Sequence, residues 1–349
     1  MDLQHFDPPR LTLARELRNF TKTELAARVD KTASAISQFE SGRARPDSST
    51  LSQISLAIGV PKAFFAKRPS SRLIHLEECH FRSLRSATQR DRRRLLAFGS
   101  LLCEVVSLLE TYVDFPREQI TEAASAVSNN EQVEELAMKI RESWGLGLGP
   151  VSHMIDLLEG KGVLVLPVAD ECRKVDAFSV WHEGRPCVFL LLKNEMPTDM
   201  RWKAAHELGH LLMHVDATPG HKQLEREAER FAAALLLPQE SFLPECPTRL
   251  DWTRLTALKK RWGVSYATLI YRAHELGQLS DASYRRGFVY LNQTKQRKNE
   301  RHEPPMESPS LLGLALDAVA DELPSRALAA QLGIKVGELE LLAGHQESC

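Results

Sequence analysis

The stretches RWKAAHELGHLLMH, residues 201–214, and EREAERFAAALLLP, residues 225–238, decide how this chain is read. Pro219-Gly220 separates them, and the spacing predicts two helices, over about 198–214 and 221–236. On the first, His206 and His210 stand i, i+4 on one face. Two imidazoles can therefore meet one Zn²⁺, with Glu207 beside the metal-bound water. A zinc site that works on a substrate needs a third protein ligand and an open position. The second helix offers Glu225, Glu227 and Glu229, and a run such as EREAE is also the ordinary composition of a solvated helix face. Glu225 and Glu229 share a face, while Phe231, Leu235 and Leu236 lie elsewhere on the helix and can pack. The pattern suits Glu225 as third ligand and Glu229, one turn later, as the carboxylate that orients a ligating histidine. His214 and His221 read as structural or exposed rather than as ligands; His214, which extends the 206/210 face by one turn, is the reserve candidate.

Upstream of this pair the period changes. GVLVLPV (162–168), DAFSVW (176–181) and PCVFLLL (186–192) read as strands, the last two joined by the turn HEGRP. Helices are expected at 131–144, before the Gly-rich GLGLGP, and at 151–159. One domain is expected over 131–250, followed by a helical extension (251–294), a polar linker (295–308) and a C-terminal helical segment (309–349). Within the extension, WGVSYATLIYRAHELGQLS has the outline of a helix–turn–helix but reads more readily as packing on the preceding domain. An Arg-rich connector and a long helix over about 88–113 fill 69–130, with RDRRR at 90–94.

Residues 1–68 form a different kind of unit, with five short helices expected between 9 and 68. Thr21 and Glu24 make a capping box for the second. The third runs from Thr32 to Glu40 and stops at Ser41-Gly42; the fourth ends at Gly59, and the fifth opens at Pro61. Leu25, Val29, Ile36, Phe39, Leu51, Ile54 and Ile58 fall at helical spacing, while Ser34, Ser37 and Gln38 face outward from the third helix. Short uncharged polar side chains of this kind can bond base edges in a major groove, and Lys22, Lys31, Arg43 and Arg45 flank them as candidates for phosphate contacts. A packing-only bundle or a protein-interaction module would share the same outline.

Two resemblances sharpen the reading. Across about 9–66 the chain resembles the XRE (Cro/C1-repressor-like) DNA-binding family, through T-x-x-E-L-A at 21–26, I-S-x-x-E-x-G at 36–42 and L-x-x-I-S-x-A-I-G-V at 51–60. The resemblance places the base-reading positions at Ala33, Ser34 and Gln38, with Lys22 and Ser37 near the backbone; Ala33 is short for its place. It implies double-stranded operator DNA as partner and a homodimer on paired half-sites, with the 88–113 helix as a candidate dimer element. Residues 201–214 and 225–238, with the strand block before them, resemble the ImmA/IrrE metallopeptidase family across about 131–245. That implies zinc at His206, His210 and Glu225, Glu207 as general base, and a repressor protein as substrate. Glu229 departs from the family's usual Asn or Asp at the supporting position.

The fold expected is mainly α with a small β-sheet: an N-terminal five-helix helix–turn–helix domain, an α+β zincin-like (gluzincin) peptidase domain, and a helical C-terminal region. Composition agrees with a cytoplasmic protein, and the two resemblances imply a regulator of bacterial or phage origin. The 349 residues include 45 basic and 46 acidic ones, a net charge of -1, and 43% are hydrophobic. No apolar run of membrane-spanning length and no N-terminal apolar signal segment is present, and the six cysteines form no CxxC. The neutral total hides a split: the first hundred residues carry 18 basic and 10 acidic groups, a net of +8, and the remainder carries -9. A basic end is the electrostatic footprint of a nucleic-acid-binding module. The function expected is a DNA-binding transcriptional regulator with a zinc-dependent endopeptidase domain; the alternative is a DNA-binding regulator whose peptidase-like domain senses a ligand or partner without turnover.

Overall fold

Helix starts in the N-terminal unit are written by caps. Thr21 accepts a hydrogen bond from the Glu24 amide while the Glu24 carboxylate takes that of Thr21; Thr32 and Asp47 cap the next two helices. In this computed structural model, which describes residues 6–66, 72–81, 88–120, 129–168, 177–191, 195–215, 221–295 and 299–342, they give α2 (Lys22–Arg28), α3 (Ala33–Glu40) and α4 (Ser48–Ile58), while α1 (Pro8–Leu17) opens on prolines in its first turn. The fifth element is one 3₁₀ turn, Lys62–Ala66, which buries Phe64 and Phe65.

A two-residue strand, β1 (His80–Phe81), precedes α5 (Gln89–Leu109), which begins at a Thr88–Asp91 capping box. Then follow α6 (Asn130–Ser143), α7 (Met154–Gly160), β2 (Leu164–Val168), β3 (Ala177–His182), β4 (Arg185–Leu191), α8 (Pro197–Met213) and α9 (Lys222–Leu236). The remainder is α10 (Gln239–Phe242), α11 (Trp252–Trp262), α12 (Tyr266–Glu275), α13 (Asp281–Gln293), α14 (Leu311–Val319), α15 (Ser325–Leu332) and α16 (Val336–Leu342). Among the described residues no helix is long and apolar enough to cross a membrane.

The sheet runs β1-β3-β4-β2, with β3 antiparallel to both neighbours and β4 parallel to β2. Both faces are covered, which is why its strands read as continuous apolar runs. The period of two divides each strand between two cores. Leu164, Leu166, Phe178, Val180, Cys187 and Phe189 join the core that contains α5, the N-terminal helices and α14–α16. Val165, Ala177, Val188 and Leu190 join the core that contains α8, α9, α11 and α12. Alternation puts Ser179 on the same face as Ala177, toward α8. β1 was not foreseen; it pairs its His80 with Ser179 and Phe81 with Phe178.

α5 lies between the N-terminal unit and the sheet. Gly99 allows the close approach: a Cβ there would stand 3.2 Å from Phe189 and 3.3 Å from Phe178. Arg10 of α1, fully buried, forms a two-pronged ion pair with Glu104 of α5. Because the apolar positions of α5 are buried inside the chain, a dimer contact by this helix would use its polar side. α12 is likewise consumed internally. Arg272, 0% exposed, is held two-pronged by Glu134 at 2.6 and 2.8 Å.

Residues 299–310 lie along the peptidase-like half, fastened by carboxylates. Glu300 accepts from the Tyr266 amide at the start of α12, Glu303 from the Thr198 amide at the start of α8, and Glu307 from the Met154 and Ile155 amides at the start of α7. Each anion meets the unsatisfied N–H groups and positive dipole end of a helix. Two buried cations complete the strap: Lys259 reaches Glu300 (2.6 Å) and Glu303 (2.5 Å), and Arg201 pairs with Glu307. Beyond it, α14–α16 return to the N-terminal unit, where Arg18 pairs with Glu338 and Gly333 lies against the backbone of Phe64.

Candidate metal centre and nucleic-acid interface

α8 and α9 pack against each other through small residues. Gly209, inside the HELGH run, faces α9 so closely that a Cβ would stand 3.1 Å from Phe231 and 3.3 Å from the Cα of Ala228. This approach brings Glu225 over the two histidines. Gly209→Ala is expected to push the helices apart, costing about 1–3 kcal/mol as overpacking does; chemical denaturation should show a fall in stability, and an unchanged midpoint would contradict the fit.

The three side chains converge. His206 Nε2 lies 3.2 Å from His210 Nε2, Glu225 Oε2 is 3.5 Å from His206 Nε2, and Glu225 Oε1 is 3.7 Å from His210 Nε2. Two imidazole nitrogens and a carboxylate oxygen at about 2.0–2.1 Å from a tetrahedral zinc would sit about 3.3 Å apart, so the donor set fits that ion. Among the described residues this is the one cluster able to hold a metal. His206 and His210 are buried, whereas the Glu225 side chain is 25% exposed, so the cluster meets solvent on that side.

Behind His210 runs a relay. His210 Nδ1 faces His214 Nδ1 at 2.9 Å, His214 Nε2 faces Glu227 Oε2 at 2.9 Å, and Gln223 donates to Glu227 Oε1 at 2.8 Å. Burial holds the His214 imidazole below the ordinary histidine range, outweighing the pull of Glu227, so the ring is neutral near pH 7. An Nε2–H of His214 given to Glu227 would leave its Nδ1 to accept from the Nδ1–H of His210, and that tautomer of His210 would carry its lone pair on Nε2, toward Glu225. The structure puts His214 in this supporting place. Glu229 stands half-buried one turn past Glu225, and its charge helps push up the phenol of Tyr271, after burial and Glu275. Glu229 is the orienting group expected from its position; Glu227 is the carboxylate that meets His214.

Glu207 is fully buried and accepts a 2.6 Å hydrogen bond from Ser179 of β3. Ser179 escaped the sequence reading because it sits in an apolar strand; the signal was a hydroxyl at the α8-facing phase of the sheet. The indole of Trp181, two residues on, donates to the Leu211 carbonyl at 2.8 Å and fixes β3 against α8.

On the N-terminal unit, Ser34 and Gln38 are exposed on α3, Ala33 and Ser37 are half-buried, and Arg43 and Arg45 are exposed in the loop after it. Lys22, at the start of α2, donates to Ser37 Oγ (3.1 Å) and pairs with Glu40 (3.4 Å). Arg15 of α1 pairs with Glu40 at 2.5 Å from inside, so α3 is braced from behind while its polar face stays open. All seven residues expected at this interface therefore lie on α2, α3 or the loop after it.

Comparison with known families agrees with this division. Residues 11–65 match the helix-turn-helix family, and residues 158–274 match the IrrE N-terminal-like domain, a peptidase family. The second match extends through α11 and nearly all of α12. Comparison with curated proteins gave no match. The chain joins a helix–turn–helix of the DNA-binding type to a metallopeptidase-family domain.

Proposed function

We propose that this chain is a DNA-binding transcriptional regulator with a zinc-dependent endopeptidase centre, whose substrate is a repressor protein. The observation that carries the reading is the convergence of His206, His210 and Glu225 beside a buried Glu207. His206, His210 and Glu225 would hold Zn²⁺, with the His214–Glu227 relay setting the donor nitrogen of His210. Bound zinc supplies Lewis acidity, which lowers the pKa of water toward neutrality and polarises a carbonyl. Glu207, aimed by Ser179, takes the proton of the attacking water and passes it to the leaving amine. The exposed side of Glu225 is where a peptide can enter.

The direct experiment is incubation of zinc-loaded protein with repressors encoded in the same genome, comparing wild type with Glu207→Gln. Cleavage by the first alone supports the endopeptidase; one zinc per chain without cleavage of any candidate favours the sensor. Glu227→Gln is expected to weaken zinc binding about 10–100-fold, the usual effect of losing a supporting partner. Competition with a chelator checks this, and unchanged affinity would remove the relay from the account.

The helix–turn–helix would bind double-stranded DNA through Ser34, Gln38 and the short Ala33, with Lys22, Ser37, Arg43 and Arg45 on phosphates, as a homodimer on paired half-sites. Binding should weaken steeply with salt, and Arg43→Ala with Arg45→Ala should flatten the slope of log affinity against log salt by about 2, roughly one unit for each phosphate contact. A slope that stays at the wild-type value would exclude these two arginines from the interface.

A further inference from the structure

We propose that Arg90 and Arg93, in the first turns of α5, bind DNA phosphates and carry the contact surface of the helix–turn–helix beyond its own domain. The inference rests on the DNA-binding reading above. It starts from the run RDRRR, four arginines and one aspartate at 90–94, which neither the metal centre nor the helix–turn–helix has absorbed.

The structure places this run. Arg90 Nε donates to the Asn19 carbonyl (2.8 Å) and to Asn19 Oδ1 (2.9 Å), and its Nη2 donates to Glu24 Oε2 at 3.0 Å. That same Glu24 oxygen takes the Thr21 amide at 2.7 Å and closes the start of α2. The first turn of α5 therefore abuts the N-terminus of α2, beside Lys22, which reaches across to Ser37 on α3. Arg93 follows Arg90 by one turn on the same side of the helix. It is exposed, and its charge reaches Glu16 near the end of α1.

A basic band results. It runs from Arg93 and Arg90, past Thr21 and Lys22, to Ser37 and Gln38 and on toward Arg43 and Arg45. At the start of α5 the Thr88 hydroxyl takes the Asp91 amide and the Asp91 carboxylate takes that of Thr88; the groups proposed to meet the ligand are the guanidinium forks, whose geometry suits phosphate. The pair Arg90–Glu24 is 45% and 41% exposed. Exposed pairs of this kind are weak, so a phosphate oxygen can replace Glu24 as the partner of Arg90 at little loss. Arg94 is committed differently, lying over the Phe98 ring 5.7 Å from its centroid.

The test uses the full chain and a random-sequence DNA duplex as probe, with affinity measured across a salt series. Arg90→Ala/Arg93→Ala should flatten the slope of log affinity against log salt by about 1–2, since each lost phosphate contact removes about 0.9, and weaken binding several-fold at low salt. Arg90→Lys/Arg93→Lys keeps the charge and should restore most of the slope. Arg261→Ala, an exposed arginine on α11, should leave it unchanged. A double-alanine variant with the wild-type slope overturns the proposal. A lysine variant as weak as the alanine one also does, because it assigns the arginines to holding α5 in place. A wild-type chain without salt-dependent binding removes the DNA-binding reading itself, and this proposal with it.

Discussion

Glu207→Gln should keep one zinc per chain while cleavage of a verified substrate falls about 10²–10⁴-fold, the range for loss of a positioned proton acceptor. The amide is close to isosteric with the carboxylate and accepts the Ser179 hydrogen bond through its carbonyl, so the packing of α8 against β3 persists. What it loses is the ability to take a proton. His206, His210 and Glu225 are untouched, so metal analysis should read as wild type. Cleavage at the wild-type rate would dismiss Glu207 as general base; loss of zinc would instead mean that the substitution disturbed the cluster. Ser179→Ala is the milder companion, because it removes only the hydroxyl that aims the carboxylate.

Lys259→Met should cost about 3–5 kcal/mol, the penalty for leaving a buried ion uncompensated. Lys259 is 0% exposed and sits between Glu300 and Glu303. Burial already pushes the Glu300 carboxyl above its ordinary range despite the attraction of Lys259. Without the cation, two carboxylates remain beside the starts of α8 and α12. Thermal unfolding should show a midpoint lower by roughly 6–10 °C, at about 2 °C per kcal/mol for a chain of this size. Adding Glu300→Gln and Glu303→Gln should recover part of the loss, since the uncompensated charge is then gone. A Lys259→Met variant within 1 kcal/mol of wild type would show that the carboxylates are neutralised some other way.

The features legible from sequence were those with local signatures. The Thr21–Glu24 box, the Thr32 cap and Gly42 mark the helix–turn–helix because capping acts within one turn. His206 and His210 are readable because helical geometry alone puts them on one face. Glu225 was reachable from the neighbouring helix, and Gly209 explains how close that helix comes. The rest depends on pairings distant in sequence. β1 has two residues and no period to detect. Ser179 looks like a polar interruption in an apolar strand until β3 is laid on α8. Glu227 and Glu229 are both acidic residues on α9, and only the packed helices show that Glu227 meets His214. The polar stretch at 299–308 has the composition of a linker; its glutamates become meaningful once the starts of α7, α8 and α12 are seen to face them.

The strap and the returning helices make the two modules inseparable by a single cut. A fragment ending at 294 would keep every residue of the metal cluster. It would also strip the carboxylates from the starts of three helices, one of them the helix that carries His206 and His210, and leave Lys259 and Arg201 without counter-ions in an apolar setting. A fragment beginning after the N-terminal unit would bare the side of α14–α16 that packs on it. Exchanging either half for another would have to keep both chain ends together, because α14–α16 pack on the N-terminal unit while residues 299–310 hold the starts of α7, α8 and α12.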